Sequence, residues 1–191
     1  MEKKGLLFVI SAASGAGKTT VCKALLGSLP RLSFSVSATT RKIRRGEVDG
    51  RDYFFLLERQ FKDKIKKAEL AEWAKVHNYY YGTPKESISS IRSKGHDVLL
   101  EIDVQGGINI RKMYPGAVLI FIKTPSFEVL KERLKYRGLD GKKEITKRLD
   151  TAKRELKLLN EYDYVVVNDE LKNAIEDVAS IIQKERKDSR R

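Results

Sequence analysis

The chain has 191 residues, 41% apolar and 34% charged, which suits one folded domain and excludes a disordered segment. No run approaches the roughly 18 apolar residues a membrane span needs, and the single cysteine, Cys22, leaves no disulfide within this sequence and fits a reducing cytoplasm. A formal net charge of +13 calls for an anionic partner or a well-solvated surface. Lysine runs at 62–67 and 142–147 have the spacing of solvated helix faces, so nucleic acid is not the expected partner.

The opening MEKKGLLFVIS reads as a first strand over residues 6–10, with no signal peptide. It runs into AASGAGKTT, where Ala13, Ser14, Gly15, Ala16, Gly17, Lys18, Thr19 and Thr20 turn from strand to helix. Backbone N–H groups can close on phosphate oxygens only where side chains are small, and the next helix aims its positive end at the same point. Lys18 reaches β- and γ-phosphates in such a loop, and the Thr19 hydroxyl ligates Mg²⁺. Ala12 stands where the full pattern has its first glycine. The helix carries Val21, Cys22, Leu25 and Leu29 and stops before Pro30; Cys22 is expected to be a small buried hydrophobe.

Residues 31–83 break the strand–helix rhythm. Runs at 34–37 and 53–57, separated by Gly46 and Gly50, predict a small mixed or antiparallel lobe. Its polar groups Ser37, Arg41, Arg44 and Tyr53 suit a clamp on one phosphate, since guanidinium forks hold phosphate oxygens bidentately. AELAEWAKVHNYYYGTP at 68–84 also reads as an amphipathic helix followed by an aromatic core plug. Thr83-Pro84-Lys85-Glu86 predicts a capping box with proline at the first helical position, opening a helix that ends near Gly95.

Further apolar runs at 98–102, 118–122 and 164–167 predict buried parallel strands. Glu101 and Asp103, where the first of these ends, face the ligand crevice of such a sheet. One helix is expected from about Ser126, a longer one through Ile145, Leu149, Ala152, Leu156 and Leu159, and a last one through Leu171, Ala174, Val178 and Ile181. The glycine-punctuated stretch 136–147 suits a mobile lid, and the charged tail 184–191 is expected to fray. Together these give a doubly wound α/β fold with a parallel sheet.

The ordered set SGAGKTT, TTRKIRRGEVDGRDY, EWAKVHNYYYGTP, EIDVQGG, ERLKYRG, ITKRLDTAKRE and VVVND resembles the guanylate kinases over almost the whole chain. Similar proteins often carry proline where Ile43 and Arg45 stand, and glycine then asparagine where Asn78 and Tyr79 stand. The resemblance implies a P-loop three-layer α/β/α core (about 1–33, 84–125 and 160–191), a GMP-binding lobe (about 34–83) and a lid (about 126–159). It also implies Mg²⁺-dependent transfer of the ATP γ-phosphoryl group to GMP, and to dGMP, in a cytoplasmic monomer or homodimer that binds neither nucleic acid nor membrane.

By the same resemblance Glu72 reads guanine with the Ser37 and Thr83 hydroxyls, while Arg41, Arg44, Tyr53 and Tyr81 hold the GMP phosphate. Residues 13–20 hold ATP, Lys18 follows the transferring group, and Thr19 carries Mg²⁺ mostly through ATP and water. Asp103 lies near metal and GMP with Glu101 beside it; Arg133, Arg137 and Arg148 close over the phosphates, Arg148 reaching GMP as well; Asn168 lies near adenine. Lys142, Lys143, His77 and His96 carry no role in this reading. Other readings of the same features are a non-catalytic guanylate-kinase-like scaffold, a kinase of a phosphorylated sugar, and a nucleic-acid binder.

Overall fold

Strand β1 (Leu7–Ala12) is buried at every position and lies at the centre of a five-stranded sheet. Its side chains alternate between two cores: Leu7 and Val9 join one, and Phe8, Ile10 and Ala12 the other. A strand apolar on both faces needs helices on both sides, which is why the run carries no polar alternation. The computed structural model describes residues 4–76, 78–136 and 141–189.

After β1 come α1 (Lys18–Ser28), β2 (Leu32–Phe34), β3 (Ala38–Thr39), β4 (Phe54–Phe55), α2 (Glu58–Lys66), β5 (Leu70–Val76) and β6 (Tyr79–Pro84). Then follow α3 (Lys85–Ser93), β7 (Asp97–Glu101), α4 (Val104–Met113), β8 (Val118–Lys123), α5 (Phe127–Tyr136), α6 (Lys142–Leu156), β9 (Tyr164–Val167) and α7 (Leu171–Asp188). The main sheet has the order β2-β7-β1-β8-β9 with every pair parallel. Residues of α1 and α7 (Val21, Leu25, Ala174, Val178, Ile182) pack in one core. Residues of α3, α4, α5 and α6 (Ile88, Ile110, Leu130, Leu134, Ala152) pack in the other, completing three layers. Because β7 and β8 flank β1, the chain switches direction across the sheet there, opening a crevice at the carboxyl ends of β1 and β7.

A second sheet of order β4-β3-β6-β5 has β3 parallel to β4 and antiparallel pairs elsewhere, over a small core of Ala38, Phe61 and Leu70. Four expectations change. Leu32–Phe34 pairs with β7 in the main sheet, so the run expected at 34–37 does not form a lobe strand. The segment 68–84 is a β-hairpin, because aromatic pairing outweighs its helix-forming residues: Tyr80 stacks on Phe61 at 5.4 Å and meets Trp73 at 6.0 Å. Pro84 is itself the N-cap of α3, and Thr83 belongs to β6, so no capping box forms. The tail does not fray before Ser189: α7 continues to Asp188, and Arg186 donates to Asp97 Oδ2 at 2.6 Å and to the Pro30 carbonyl at 2.8 Å. Within 136–147, the stretch expected as a mobile lid, α6 begins at Lys142.

Candidate active site

Between β1 and α1 the chain turns through Gly15 (φ 96) and Gly17 (φ 90), left-handed values that only glycine adopts without strain. A Cβ on Gly17 would lie 2.5 Å from Asn168 Nδ2, which donates to the Ala16 carbonyl at 2.7 Å and so ties the end of β9 to the turn. Gly17 caps α1 without a side-chain hydrogen bond, and α1 carries no acidic residue in its own first turn, so its positive end is open to an anion from outside the helix. Ala12 is the last residue of β1, an extended position that tolerates any side chain of its size.

Lys18 and Thr19 cross to the ends of β7. Lys18 Nζ donates to the Ile102 carbonyl at 2.9 Å, and Thr19 Oγ1 donates to Glu101 Oε1 at 2.5 Å. Asp103 caps α4 by accepting from Gly106 N at 2.7 Å, while its carbonyl accepts from Ser11 Oγ at 3.1 Å. Buried beneath the turn, the Cys22 thiol is pushed up to about 12, mainly by burial and then by the Glu101 charge, so it stays protonated and inert.

Two cavities flank Lys18 and the phosphate loop. One, of about 200 Å³, is lined by Lys18, Ser37, Tyr53, Glu72, Tyr81, Glu101 and Asp103 among others. Glu72 is buried on β5, and Thr83 Oγ1 donates to its Oε1 at 2.6 Å. Burial lifts its carboxyl to about 7; the nearby Asp103 charge adds to the rise and the Thr83 hydrogen bond opposes it. The other cavity, of about 590 Å³, is lined by Gly15, Gly17, Thr20, Arg133, Tyr136 and Asn168 among others. A larger hollow of about 750 Å³ at the opposite end of the strands, lined by Lys4, Arg31, Lys94 and Arg186, is remote from the loop and its carboxylates.

The structure separates the arginines by location. Arg41 is buried beside Tyr53 and Phe55, its Cζ 5.5 and 5.6 Å from the ring centroids. The Arg44 side chain is exposed, with its backbone N–H on Glu47 Oε2 at 2.8 Å. Arg148 of α6 approaches the loop, Nη1 lying 3.4 Å from Ser14 Oγ, and Arg133 of α5 donates to the Asp169 carbonyl at 3.1 Å. Arg137 lies outside the described residues, as does His77.

These elements can be compared with known proteins. The family model described as guanylate kinase matches residues 4–185. The chain belongs to the guanylate kinase family. A guanylate kinase of Caldanaerobacter subterraneus subsp. tengcongensis is 48% identical over 95% of this chain and 88% of its own length. One of Thermotoga maritima is 45% identical over 96% and 88%. The crystal structure of guanylate kinase from Anaplasma phagocytophilum superposes with a TM-score of 0.77 at 32% identity, covering 96% of this chain and 87% of that one.

Within this guanylate kinase fold one departure from the expected pattern has a local reason. Asn78 has φ 70 in the turn between β5 and β6, and asparagine is among the few non-glycine residues that accept that region. Glu155 is the residue that sequence reading left without a role. Its Oε2 is buried with no hydrogen-bond partner among the described residues, and its carboxyl is raised to about 7 by burial and by Asp103, with Lys18 opposing. It stands seven residues beyond Arg148 on α6, two helical turns along the same face, which is the spacing that could have marked it.

Proposed function

We propose that this chain catalyses ATP-dependent phosphorylation of GMP, giving ADP and GDP. The observation that carries the reading is the pair of cavities at the turn into α1: the larger lined by Gly15 and Gly17 of the phosphate loop, the smaller by Lys18 and buried Glu72. Guanine offers N1–H and N2–H₂ donors side by side and an O6 acceptor. A buried carboxylate backed by a hydroxyl donor suits the first two, and Ser37, lining the same cavity, is available to O6. Adenine lacks that donor pair and would leave Glu72 unsatisfied.

The acceptor oxygen of a phosphate monoester is anionic at neutral pH, so the chemistry asks for alignment and charge neutralisation more than for acid–base catalysis. Lys18 leaves the Ile102 carbonyl to follow the transferring phosphoryl group. Arg41, Arg44, Tyr53 and Tyr81 hold the acceptor phosphate. Arg148 and Arg137 close on the group in flight, and Arg133 and Asn168 hold the ATP side. Asp103 keeps the turn into α4 fixed beside the smaller cavity.

Thr19 and Glu101 present hard oxygen donors at the loop, and among the described residues no cluster of three or more His, Cys, Asp or Glu side chains forms a metal cage. That donor set suits Mg²⁺ carried chiefly by ATP and water, with Thr19 as its protein ligand. When bound, the ion neutralises phosphate charge. In this reading α5, α6 and residues 137–141 between them act as the lid, and the second sheet as the GMP lobe. The full site then assembles only when both nucleotides are present, which excludes water from the phosphoryl group. Formation of ADP and GDP from ATP, GMP and Mg²⁺ tests the reading, and ADP release at the same rate without GMP would overturn it.

A further inference from the structure

Arg41 is buried, and its guanidinium is already heavily engaged in this structure. Nη1 donates to the Lys42 carbonyl at 2.7 Å and to Glu47 Oε2 at 3.0 Å, while Nη2 donates to Glu47 Oε1 at 2.7 Å. Glu47 therefore grips the group end-on with both oxygens. The same Oε2 accepts from Arg44 N at 2.8 Å, and Glu47 N donates back to the Arg44 carbonyl at 3.1 Å, closing the turn that holds Gly46 at φ 88. One carboxylate thus joins the two arginines of the acceptor clamp.

A guanidinium has five N–H donors fixed in one plane. Three are taken as described. The two that remain, Nε–H and the second Nη2–H, lie along one edge of the plane; no carbonyl or carboxylate among the described residues takes them, and the further hydrogen-bond partner of the guanidinium is a neutral hydroxyl, that of Tyr81, which a phosphate can join or displace. That edge is the fork that binds two oxygens of a phosphate side-on. The Tyr81 hydroxyl, whose residue lines the smaller cavity, lies beside the same guanidinium. Glu47 and a phosphate can therefore hold Arg41 at once, on different edges.

We propose that Glu47 is a positioning residue for the acceptor-phosphate site: it holds Arg41 end-on so that the Nε/Nη2 edge is presented to a phosphate monoester, and it fixes the turn carrying Arg44. The pairing also cancels one positive charge, so recognition of the phosphate depends on the direction of the fork more than on net charge. With Glu47 removed, the buried guanidinium is free to turn, and its ordering is deferred to the moment of binding. This inference depends on the reading that Arg41 holds the GMP phosphate.

The test is calorimetric titration of the full chain and of the Glu47→Ala, Glu47→Gln and Arg41→Lys variants with GMP, guanosine and ADP. For Glu47→Ala, GMP affinity should fall about tenfold or more, while guanosine and ADP affinities stay within about twofold, because neither uses this fork. Glu47→Gln, which keeps the size but turns an amide N–H toward a guanidinium donor, should show the same selective loss to a smaller degree. Arg41→Lys should weaken GMP and spare guanosine. If it does not, the assignment of Arg41 and the role of Glu47 fall together. If Arg41→Lys weakens GMP while both Glu47 variants bind it normally, only the role of Glu47 falls. Tighter GMP binding in the Glu47 variants would mean the carboxylate competes with phosphate, and equal loss of guanosine would mean general loosening; either overturns the proposal.

Discussion

Glu72 combines burial, the Thr83 hydroxyl at 2.6 Å and the neighbouring Asp103 charge, so near neutral pH its carboxyl in the empty site is partly protonated. Guanine's paired donors require the carboxylate, so GMP binding should release a proton. Affinity should rise as pH increases from about 6 through 7 and level off above. Calorimetry in buffers of different ionisation enthalpy measures that release, which Glu72→Gln should abolish along with about 1–3 kcal/mol of GMP binding. Stability moves the other way. A carboxyl whose folded pKa is raised favours the fold fully below its ordinary value near 4.5 and loses that contribution as pH climbs through about 7. Urea denaturation between pH 4.5 and 8 should therefore show a shallower decline in Glu72→Gln than in the parent chain. In the proposed mechanism Lys18 acts on the moving charge, so Lys18→Ala should cost turnover on the order of 10²–10³ while GMP affinity changes little. Near-normal turnover would remove Lys18 from the mechanism.

At the level of elements, the ends of the main sheet divide the labour. The carboxyl ends of β1 and β7 carry the proposed site, and the opposite ends carry fastenings. Asp97, at the start of β7, accepts from Leu6 N at 2.7 Å and Arg186 Nε at 2.6 Å, joining the entry to β1 to the last turns of α7. Both partners are mostly buried, with side-chain exposures of 18% for Arg186 and 10% for Asp97. Asp97→Ala strands a guanidinium and a backbone N–H, so it should cost about 3 kcal/mol and about 6–12 °C in Tm with kcat/KM nearly unchanged. Thermal melting beside steady-state kinetics separates the two. The same elements show what could be read from the chain. The β-branched and apolar runs of the four long parallel strands and the small-residue turn at 13–17 announce themselves, because both depend on local patterns. The β5–β6 hairpin did not, since Leu70, Ala71, Glu72 and Trp73 favour a helix locally and become a strand only by pairing with Thr83 and Gly82 on β6. Thr83 was misplaced for the same reason: its hydroxyl serves Glu72 across the hairpin instead of capping α3. The Glu47 grip on Arg41 is equally silent in sequence, where an acidic residue in a basic turn reads as surface charge.

For the whole molecule, the three-layer core supplies the phosphate loop and carboxylates, while the second sheet, with its own core around Phe61, supplies Glu72 and Thr83. The larger cavity is lined by Gly15 and Gly17 and the smaller by Lys18 and Glu72, so in the proposed reading each nucleotide has its own cavity. The +13 charge fits a crevice that collects polyphosphates and neutralises them during transfer. In the proposed reading specificity resides in the smaller cavity, and the most direct test is a coupled assay of ADP formation at fixed ATP and Mg²⁺ with GMP, dGMP, AMP, CMP and UMP as acceptors. GMP should be phosphorylated with a kcat/KM at least about 10³-fold above AMP, CMP and UMP, with dGMP intermediate. Comparable rates with GMP and AMP would contradict the account.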